Sequence, residues 1–311
     1  MKSAEATHTI TCRCCGSQNT AFVGKKRGEI MEREFHYYRC VDCSFLFISP
    51  YLGPEIYNDA YYRGEGPDPL VNFAQEYNDY RSTDRVLEFN DILRLAREHL
   101  ARADFAGSEI AWLDFGCGAG GFLKFLRDQK TVRVFKNDVP IAYAGSDVGA
   151  WANRLRQQDG FTVYEVDGLR SLPDASFDVI SAVEVLEHIP DPNEVMRLLS
   201  RLLKPGGLLL LTTGNMNCSF ARRKGIQYRY CMSEIHISLF NPDCLARVYR
   251  KAGLEPFRVH YKGVVAFKMV KSLRGKFQKA LARLAVRVPF VLPIVDWLYG
   301  VSAMPCAVKP R

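Results

Sequence analysis

From residue 110 onward the chain alternates two patterns of apolar positions. Short runs at Ile110 to Phe115, Ala142 to Asp147, Thr162 to Val166, Phe177 to Val183 and Leu208 to Thr212 are apolar almost throughout, as strands buried on both faces require. Between them apolar residues recur at helical spacing. Gly121 to Arg127 opens one such stretch, a second runs through Arg156, and a third carries signals at both ends. There Asp191 is placed to cap, Pro192 takes the first turn, Glu194 completes a capping-box spacing, and Lys204-Pro205-Gly206-Gly207 predicts the stop. This alternation predicts an α/β fold with a parallel sheet covered by helices. Ligands of such sheets bind at the carboxyl ends of the strands, so the residues just after each run are the candidates for function.

The first 109 residues read differently. From Thr83 to Ala103, Val86, Phe89, Ile92, Leu93, Ala96 and Leu100 fall at helical spacing and predict an amphipathic helix leading into the sheet. Tyr51 to Tyr80 is tyrosine-rich and broken by Pro54, Gly64, Gly66, Pro67 and Pro69, which predicts a linker or lid with little regular structure. Ahead of it, Cys12/Cys15 and Cys40/Cys43 form two Cys-x-x-Cys pairs. Each short turn can aim two thiolates at one ion, and the segment between them returns the chain as a hairpin, giving a tetrahedral sulfur cage suited to structural zinc. Gly16 fits the tight turn after the first pair, and Ser44 holds the matching place in the second. Cys14 is one thiol more than the cage needs. The organisation expected is a zinc-ribbon module over 1–50, a linker and helix over 51–109, and an α/β domain over 110–311.

Composition excludes few classes but places the charge. With 48% hydrophobic and 24% charged residues in 311, the chain is an ordinary globular protein. The net charge is +8, yet nine basic and no acidic residues lie between Pro256 and Val295, leaving the rest of the chain at about −1. Within an insertion at about 266–299, Lys271 to Arg287 forms a basic amphipathic helix on a helical wheel, either a lid or a helix lying on an anionic membrane surface. No apolar run is long enough to span a bilayer and the first ten residues are not a secretory signal, so a cytoplasmic protein, peripheral on the membrane if that helix anchors it, is expected.

The loop after the first strand is Asp114-Phe-Gly116-Cys-Gly118-Ala-Gly120-Gly121. Its glycines let backbone approach a ligand, and the helix beyond offers free N–H groups. Gly116-x-Gly118-x-x-Gly121 also matches a dinucleotide fingerprint, but Asp114 beside it suits an amino group better than a pyrophosphate. With the loops that follow, this sequence resembles the class I S-adenosylmethionine-dependent methyltransferases over about residues 110 to 260. The resemblance implies a Rossmann-like sheet of seven strands, the last antiparallel, with Arg258 to Val265 and Ala303 to Lys309 as the final two. It also implies that Asp114, Gly116, Gly118 and Gly120 hold the methionine end of the cofactor and that Asp147 accepts both ribose hydroxyls. By the same likeness Asp167, with Gly168 and Leu169, contacts the adenine, and Glu184 to His188 forms the fourth motif. Lys130 to Ile141 is longer and more polar than the family pattern.

Methyl transfer to a hydroxyl or an activated carbon requires a base. His188, beside Glu187 after the fourth strand, and His236, after the fifth, stand where that base is needed, and a neighbouring carboxylate can orient either ring. Packing under the cofactor for His188, and capping of the helix at Asn241-Pro242-Asp243 for His236, are the bland alternatives. Tyr61, Tyr62, Tyr228 and Tyr230 are candidates for the acceptor pocket. A ribbon joined to this core looks like enzymes that methylate small metabolites, sugars or lipid-linked acceptors on O or C. The alternative, a ribosomal RNA methyltransferase with a zinc module, is less favoured because Glu29, Glu32 and Glu34 interrupt the ribbon's cations. A zinc-bearing adaptor with a degenerate core would be expected to lose the cofactor residues, which are intact here.

Overall fold

The computed structural model describes residues 10–67, 72–257 and 306–311. The basic segment Lys271 to Arg287 and the strand expected at Arg258 to Val265 lie outside the described residues.

Two sheets organise the chain. The smaller comprises β1 (Thr20–Arg27), β2 (Glu34–Cys40), β3 (Leu46–Ile48) and, from far along the chain, β10 (Ser238–Leu239), in the order β1-β2-β3-β10 with each pairing antiparallel. The segment between the cysteine pairs is therefore a hairpin, as expected. After it, short helical turns and α1 (Phe73–Asn78) occupy the tyrosine-rich stretch, which has more regular structure than its Pro and Gly content suggests. The reason is local: the Asn72 side chain accepts from Gln75 N, and Asp79 caps the next turn through Arg81 N.

Helix α2 (Arg85–Arg102) buries Phe89, Ile92, Ala96 and Leu100, four of the six apolar positions read from its periodicity. The larger sheet then unfolds in chain order: β4 (Ile110–Phe115), α3 (Gly121–Gln129), β5 (Thr131–Val134), β6 (Asn137–Ser146), α4 (Trp151–Gln158), β7 (Val163–Tyr164), α5 (Val166–Arg170), β8 (Phe177–Val183), α6 (Pro192–Leu202), β9 (Leu203–Thr212), α7 (Ser219–Lys224), α8 (Pro242–Lys251), β11 (Glu255–Phe257) and β12 (Cys306–Val308). Its order is β11-β12-β9-β8-β4-β6-β5, with β7 also on β6. The strands β7, β6, β4, β8 and β9 run parallel, and β12 is antiparallel to both neighbours.

Among the described residues this sheet has eight strands, against the seven expected. The addition is β5, paired antiparallel to β6 from Thr131↔Pro140 to Val134↔Asn137, so the polar stretch Lys130 to Ile141 is a hairpin that starts the second parallel strand early. A second departure concerns Lys204-Pro205-Gly206-Gly207. Helix α6 ends at Leu202 and those four residues already belong to β9, with Gly206 at φ +77°. The start of α6 is as read: Asp191 accepts from Asn193 N at 2.9 Å and Glu194 N at 3.0 Å.

Trp112, at the centre of β4, is fully buried among Phe122, Phe125 and Phe89 on one side of the sheet. Leu113 and Ile180 point to the other side, where they join Leu199, Leu245 and Tyr249. The core is therefore continuous through β4 and β8, which fixes their carboxyl ends.

Removing the α6 cap tests the helix boundary. Asp191→Ala should cost about 1 kcal/mol, the usual value of a side-chain N-cap, read as a lower urea midpoint with the slope unchanged.

Candidate active site

The carboxyl ends of β4, β6 and β8 open onto one cavity of 1110 Å³. Its floor is the glycine turn. Gly116 N and Cys117 N donate to Ser146 O at 2.7 and 3.0 Å, locking the turn across to β6. Gly116 has φ +74°, and a Cβ there would lie 2.4 Å from Val185 Cγ2. Gly120, at φ +76°, is the N-cap of α3, and a Cβ there would meet Leu155. Both positions require glycine on two counts.

Asp147 follows β6 and faces the turn. Its Oδ2 accepts from Gly118 N at 2.8 Å, and its Oδ1 from Gly149 N at 2.6 Å and Tyr62 Oη at 3.0 Å. The ring of Tyr62 stacks on Trp151, 5.4 Å between centroids and 15° between planes, so the tyrosine-rich segment covers the Asp147 end of the cavity. Of the four tyrosines named from sequence, Tyr61, Tyr62 and Tyr230 line the cavity, while Tyr228 packs against the cluster of Phe35, Tyr37 and Ile48.

Asp114 lies beneath the turn, buried, accepting from Ser181 Oγ at 2.8 Å. Burial pushes its carboxyl up to about 7, against the hydrogen bond from Ser181 and the charge of Arg85. Arg85 is the residue that sequence reading missed. It begins α2 and reaches into the cavity, 3.6 Å from Glu76 and 3.5 Å from Glu88, and these two acids hold it charged although burial works against it. The only signal in the sequence was a cation at the head of a helix that was read for its apolar face.

The adenine-loop assignment finds a different setting. Val166 lines the cavity, but Asp167, Gly168 and Leu169 do not, and the Asp167 side chain is 96% exposed beside Arg170.

The histidines are brought together. The His188 and His236 rings meet edge to face with centroids 4.9 Å apart, and Tyr57 closes on His188 at 5.6 Å. His188 Nδ1 lies 3.0 Å from Ile235 O and His236 Nδ1 lies 2.7 Å from Tyr230 O. A carbonyl only accepts, so both rings carry their proton on Nδ1 and Nε2 is the basic nitrogen. Burial pushes His188 down to about 4, leaving it neutral at physiological pH. Glu187 does not orient its sequence neighbour through Nδ1. Its carboxylate accepts from Thr213 Oγ1 at 2.7 Å and Tyr230 Oη at 2.5 Å, and lies 4.0 Å from His236 Nε2. Nor does His236 cap α8, whose cap is Asn241, accepting from Asp243 N and Cys244 N. Glu184, at φ 53° after β8, places its N–H on Thr212 O and its carboxylate on Tyr230 Oη at 3.2 Å. The donor atoms of Glu187, His188 and His236 all lie within 4.8 Å of one another, a spacing one cation could also bridge.

The four ribbon cysteines converge as their spacing predicts. Cys12 and Cys43 Sγ are 3.6 Å apart, Cys15 and Cys40 Sγ 3.5 Å, and the four sulfurs lie within 4.8 Å of one another. The two knuckles repeat one pattern: Gly16 N to Cys12 O with Cys12 N to Ser17 O, and Ser44 N to Cys40 O with Cys40 N to Phe45 O. Ser44 takes φ 60° where Gly16 takes φ 85°, so the serine adopts the glycine's left-handed turn. Cys14 is outside the four-sulfur group but beside it, its thiol directed to Cys244 O and in contact with Cys43.

A glycine turn locked to the next parallel strand, an acid at that strand's end and this strand order define the fold of the S-adenosylmethionine-dependent methyltransferases. A methyltransferase domain family matches residues 85–259, and the chain belongs to it. Over 118 residues the chain is 37% identical to a ubiquinone biosynthesis O-methyltransferase of Xanthomonas oryzae, covering 37% of this chain and 46% of that protein. It is 29% identical over 168 residues to one of Thiobacillus denitrificans, covering 50% of this chain and 67% of the relative. The chain spans about half the length of the first of these relatives. A solved S-adenosylmethionine-dependent methyltransferase from Archaeoglobus fulgidus aligns over 70% of this chain and 92% of its own at 16% identity and a TM-score of 0.40.

The buried Glu187 generates a pH prediction. Burial and the charge of Glu184 push it from 4.5 up to about 8. Between those values the folded state holds a proton that the unfolded state has released, so this group's contribution to stability falls as pH rises through that window. Glu187→Gln has no such proton. The stability of wild type relative to Glu187→Gln should therefore decline from pH 5 to pH 8.5 in parallel urea titrations, and a flat difference would reject the raised carboxyl.

Proposed function

We propose that the protein transfers a methyl group from S-adenosylmethionine to a hydroxyl of a small-molecule acceptor, a sugar or lipid-linked hydroxyl included. The observation that carries this reading is the convergence, on one cavity, of the glycine turn with Asp147 and of a neutral His188 about whose tautomer its neighbours leave no choice. The sulfonium supplies an electrophilic methyl group when the cofactor is bound. Asp147, oriented by the Gly118 N–H, would hold the ribose hydroxyls, which would take the place of the hydrogen bond from Tyr62. Glu76, Glu88 and Asp114 surround Arg85, which is placed to take the carboxylate of the methionine end. His188 Nε2 accepts the acceptor's proton, its ring held by Ile235 O so that the basic nitrogen stays on the reacting side. Tyr230, bridging Glu184 and Glu187, sets the wall opposite. Transfer to oxygen is the reading favoured by the O-methyltransferases among the relatives. The loop carrying Asp167 would serve the adenine through Val166, which lines the cavity.

The ribbon sulfurs suit zinc. A tetrahedron of sulfurs about 2.3 Å from a zinc ion has edges of about 3.8 Å, close to the 3.5 and 3.6 Å separations of the two sulfur pairs. Cys12, Cys15, Cys40 and Cys43 would hold the ion as a closed structural site. A membrane contact through Lys271 to Arg287 stays a proposal, as does a cytoplasmic setting. No helix among the described residues is long and apolar enough to cross a membrane.

Two measurements test this reading. Metal analysis should find one zinc per chain in the wild type and in Cys14→Ser, and loss of metal in Cys14→Ser would reject the ligand choice. With radiolabelled cofactor and pooled hydroxylated metabolites, His188→Ala should lower turnover by roughly 10²-fold or more while cofactor affinity stays within a few-fold. Survival of turnover there, with loss in His236→Ala, would exchange the two roles. A wild type that transfers only with added divalent cation would make the Glu187, His188 and His236 cluster a metal site instead.

A further inference from the structure

The ribbon is stitched to the active-site segment that follows α7. Strand β3 pairs with β10, Leu46 against Leu239 and Phe47 against Ser238, so residues 230–237 run along the ribbon before joining its sheet. Lys26 Nζ donates to Cys231 O at 2.7 Å, and Tyr37 Oη contacts Cys231 O at 3.2 Å and Ser233 Oγ at 2.9 Å. Ser233 N donates to Glu29 Oε2 at 3.1 Å, and the N–H groups of Ile30 and Met31 donate to Glu234 Oε1 at 2.9 and 3.1 Å. Arg13, inside the first knuckle, donates to Ile237 O at 2.6 Å. This is a dense polar seam for eight residues, and those residues include both Tyr230 and His236.

The seam is backed by apolar packing of Phe35, Tyr37, Leu46 and Ile48 against Met216, Cys231 and Leu239. It also reaches the cavity. Lys26 and Glu29 line it from the hairpin, beside Met232, Glu234 and His236 from the segment. Lys26 Nζ also pairs with the Glu29 carboxylate, whose other oxygen takes the Ser233 N–H. The hairpin thus presents a Lys26–Glu29 ion pair to whatever occupies this end of the cavity.

We infer that the ribbon is the acceptor-side wall of the active site: Tyr37 and Glu234 position the segment that carries His236, and Lys26 and Glu29 select a hydroxylated acceptor by hydrogen bonding. This rests on the methyl-transfer reading for the acceptor's identity as substrate, but the positioning of His236 is independent of it. The four-cysteine end holds the hairpin and contributes nothing to the cavity lining, so damage to the seam should be felt in acceptor binding and in His236, not in cofactor affinity.

The test uses the full zinc-loaded chain carrying ¹⁵N-labelled histidine, with zinc content checked in every variant. In Tyr37→Phe and Glu234→Ala the His236 ring resonances should shift and S-adenosylhomocysteine affinity by calorimetry should stay within about twofold, with Glu234→Gln restoring the wild-type spectrum because its amide oxygen still accepts from Ile30 and Met31. With catechol as the acceptor probe, Lys26→Met and Glu29→Ala should raise KM roughly tenfold, the loss of one or two hydrogen bonds, with a smaller change in kcat. Unchanged His236 resonances in both Tyr37→Phe and Glu234→Ala would overturn the positioning role. An unchanged KM in both hairpin variants would overturn the selecting role. A wild type that methylates neither catechol nor the metabolite pools fails the functional reading alone, since the His236 spectra still decide the seam.

Discussion

The polar geometry of the cavity depends on the register of β4 between two parallel neighbours. Asp114 sits opposite Gly145 on one side and Ser181 on the other, and Phe115 sits opposite Ser146. One residue of slip would turn every side chain of β4 to the other face. The present register lets Gly116 N and Cys117 N reach Ser146 O, which in turn brings Gly118 N onto Asp147. The same constraint passes to β8 and β9, where Val183 stands opposite Thr212 and Glu184 N bonds Thr212 O. Trp112, with its Nε1 on Ser181 Oγ, pins that register from inside the core, since no other placement both buries the ring and satisfies the donor.

Much of this was legible before any coordinates. The bounds of β4 and β8 are those of their apolar runs, because a strand buried on both faces is apolar along most of its length, with only Asp114, Asp178 and Ser181 interrupting it. The cage was legible because Cys-x-x-Cys spacing is a local geometric instruction that needs no partner to be read. The glycine turn and Asp147 were legible because each lies at the end of such a run.

What could not be read is what depends on distant partners. Tyr62 on Asp147 and Glu187 on Tyr230 and Thr213 are pairings across long stretches of sequence, and Arg85, close to Glu76 and Glu88 in sequence, meets both only once α1 and α2 are folded against each other. Adjacency in sequence misled in one instance: Glu187 beside His188 suggested a pair, yet the short turn Leu186–His188 sends the two side chains to different partners. The hairpin β5–β6 was hidden for another reason. Its strands and turn carry Arg133, Lys136, Asn137 and Asp138, so half its surface faces solvent and the apolar signal is diluted below that of the central strands.

Charge gives the cavity its selectivity. Among the described residues seven carboxyl groups line it, from Glu29, Glu76, Asp84, Glu88, Asp147, Glu184 and Glu234, against three cations from Lys26, Arg85 and Arg229. The field these residues set up is negative, opposite in sign to the +8 of the whole chain. Such a field favours a cationic ligand and works against a polyanion threading toward the same methyl group. Neutral His188 is consistent with it only because desolvation outweighs the attraction of Glu184, the balance that pushes the ring down to about 4. The site thus combines a negative lining, which would suit a sulfonium, with an imidazole kept uncharged by burial, as the proposed deprotonation of a hydroxyl requires. The Lys26–Glu29 pair from the ribbon leaves that lining negative, so on the proposed reading acceptor choice and cofactor capture would fall to different walls of one cavity.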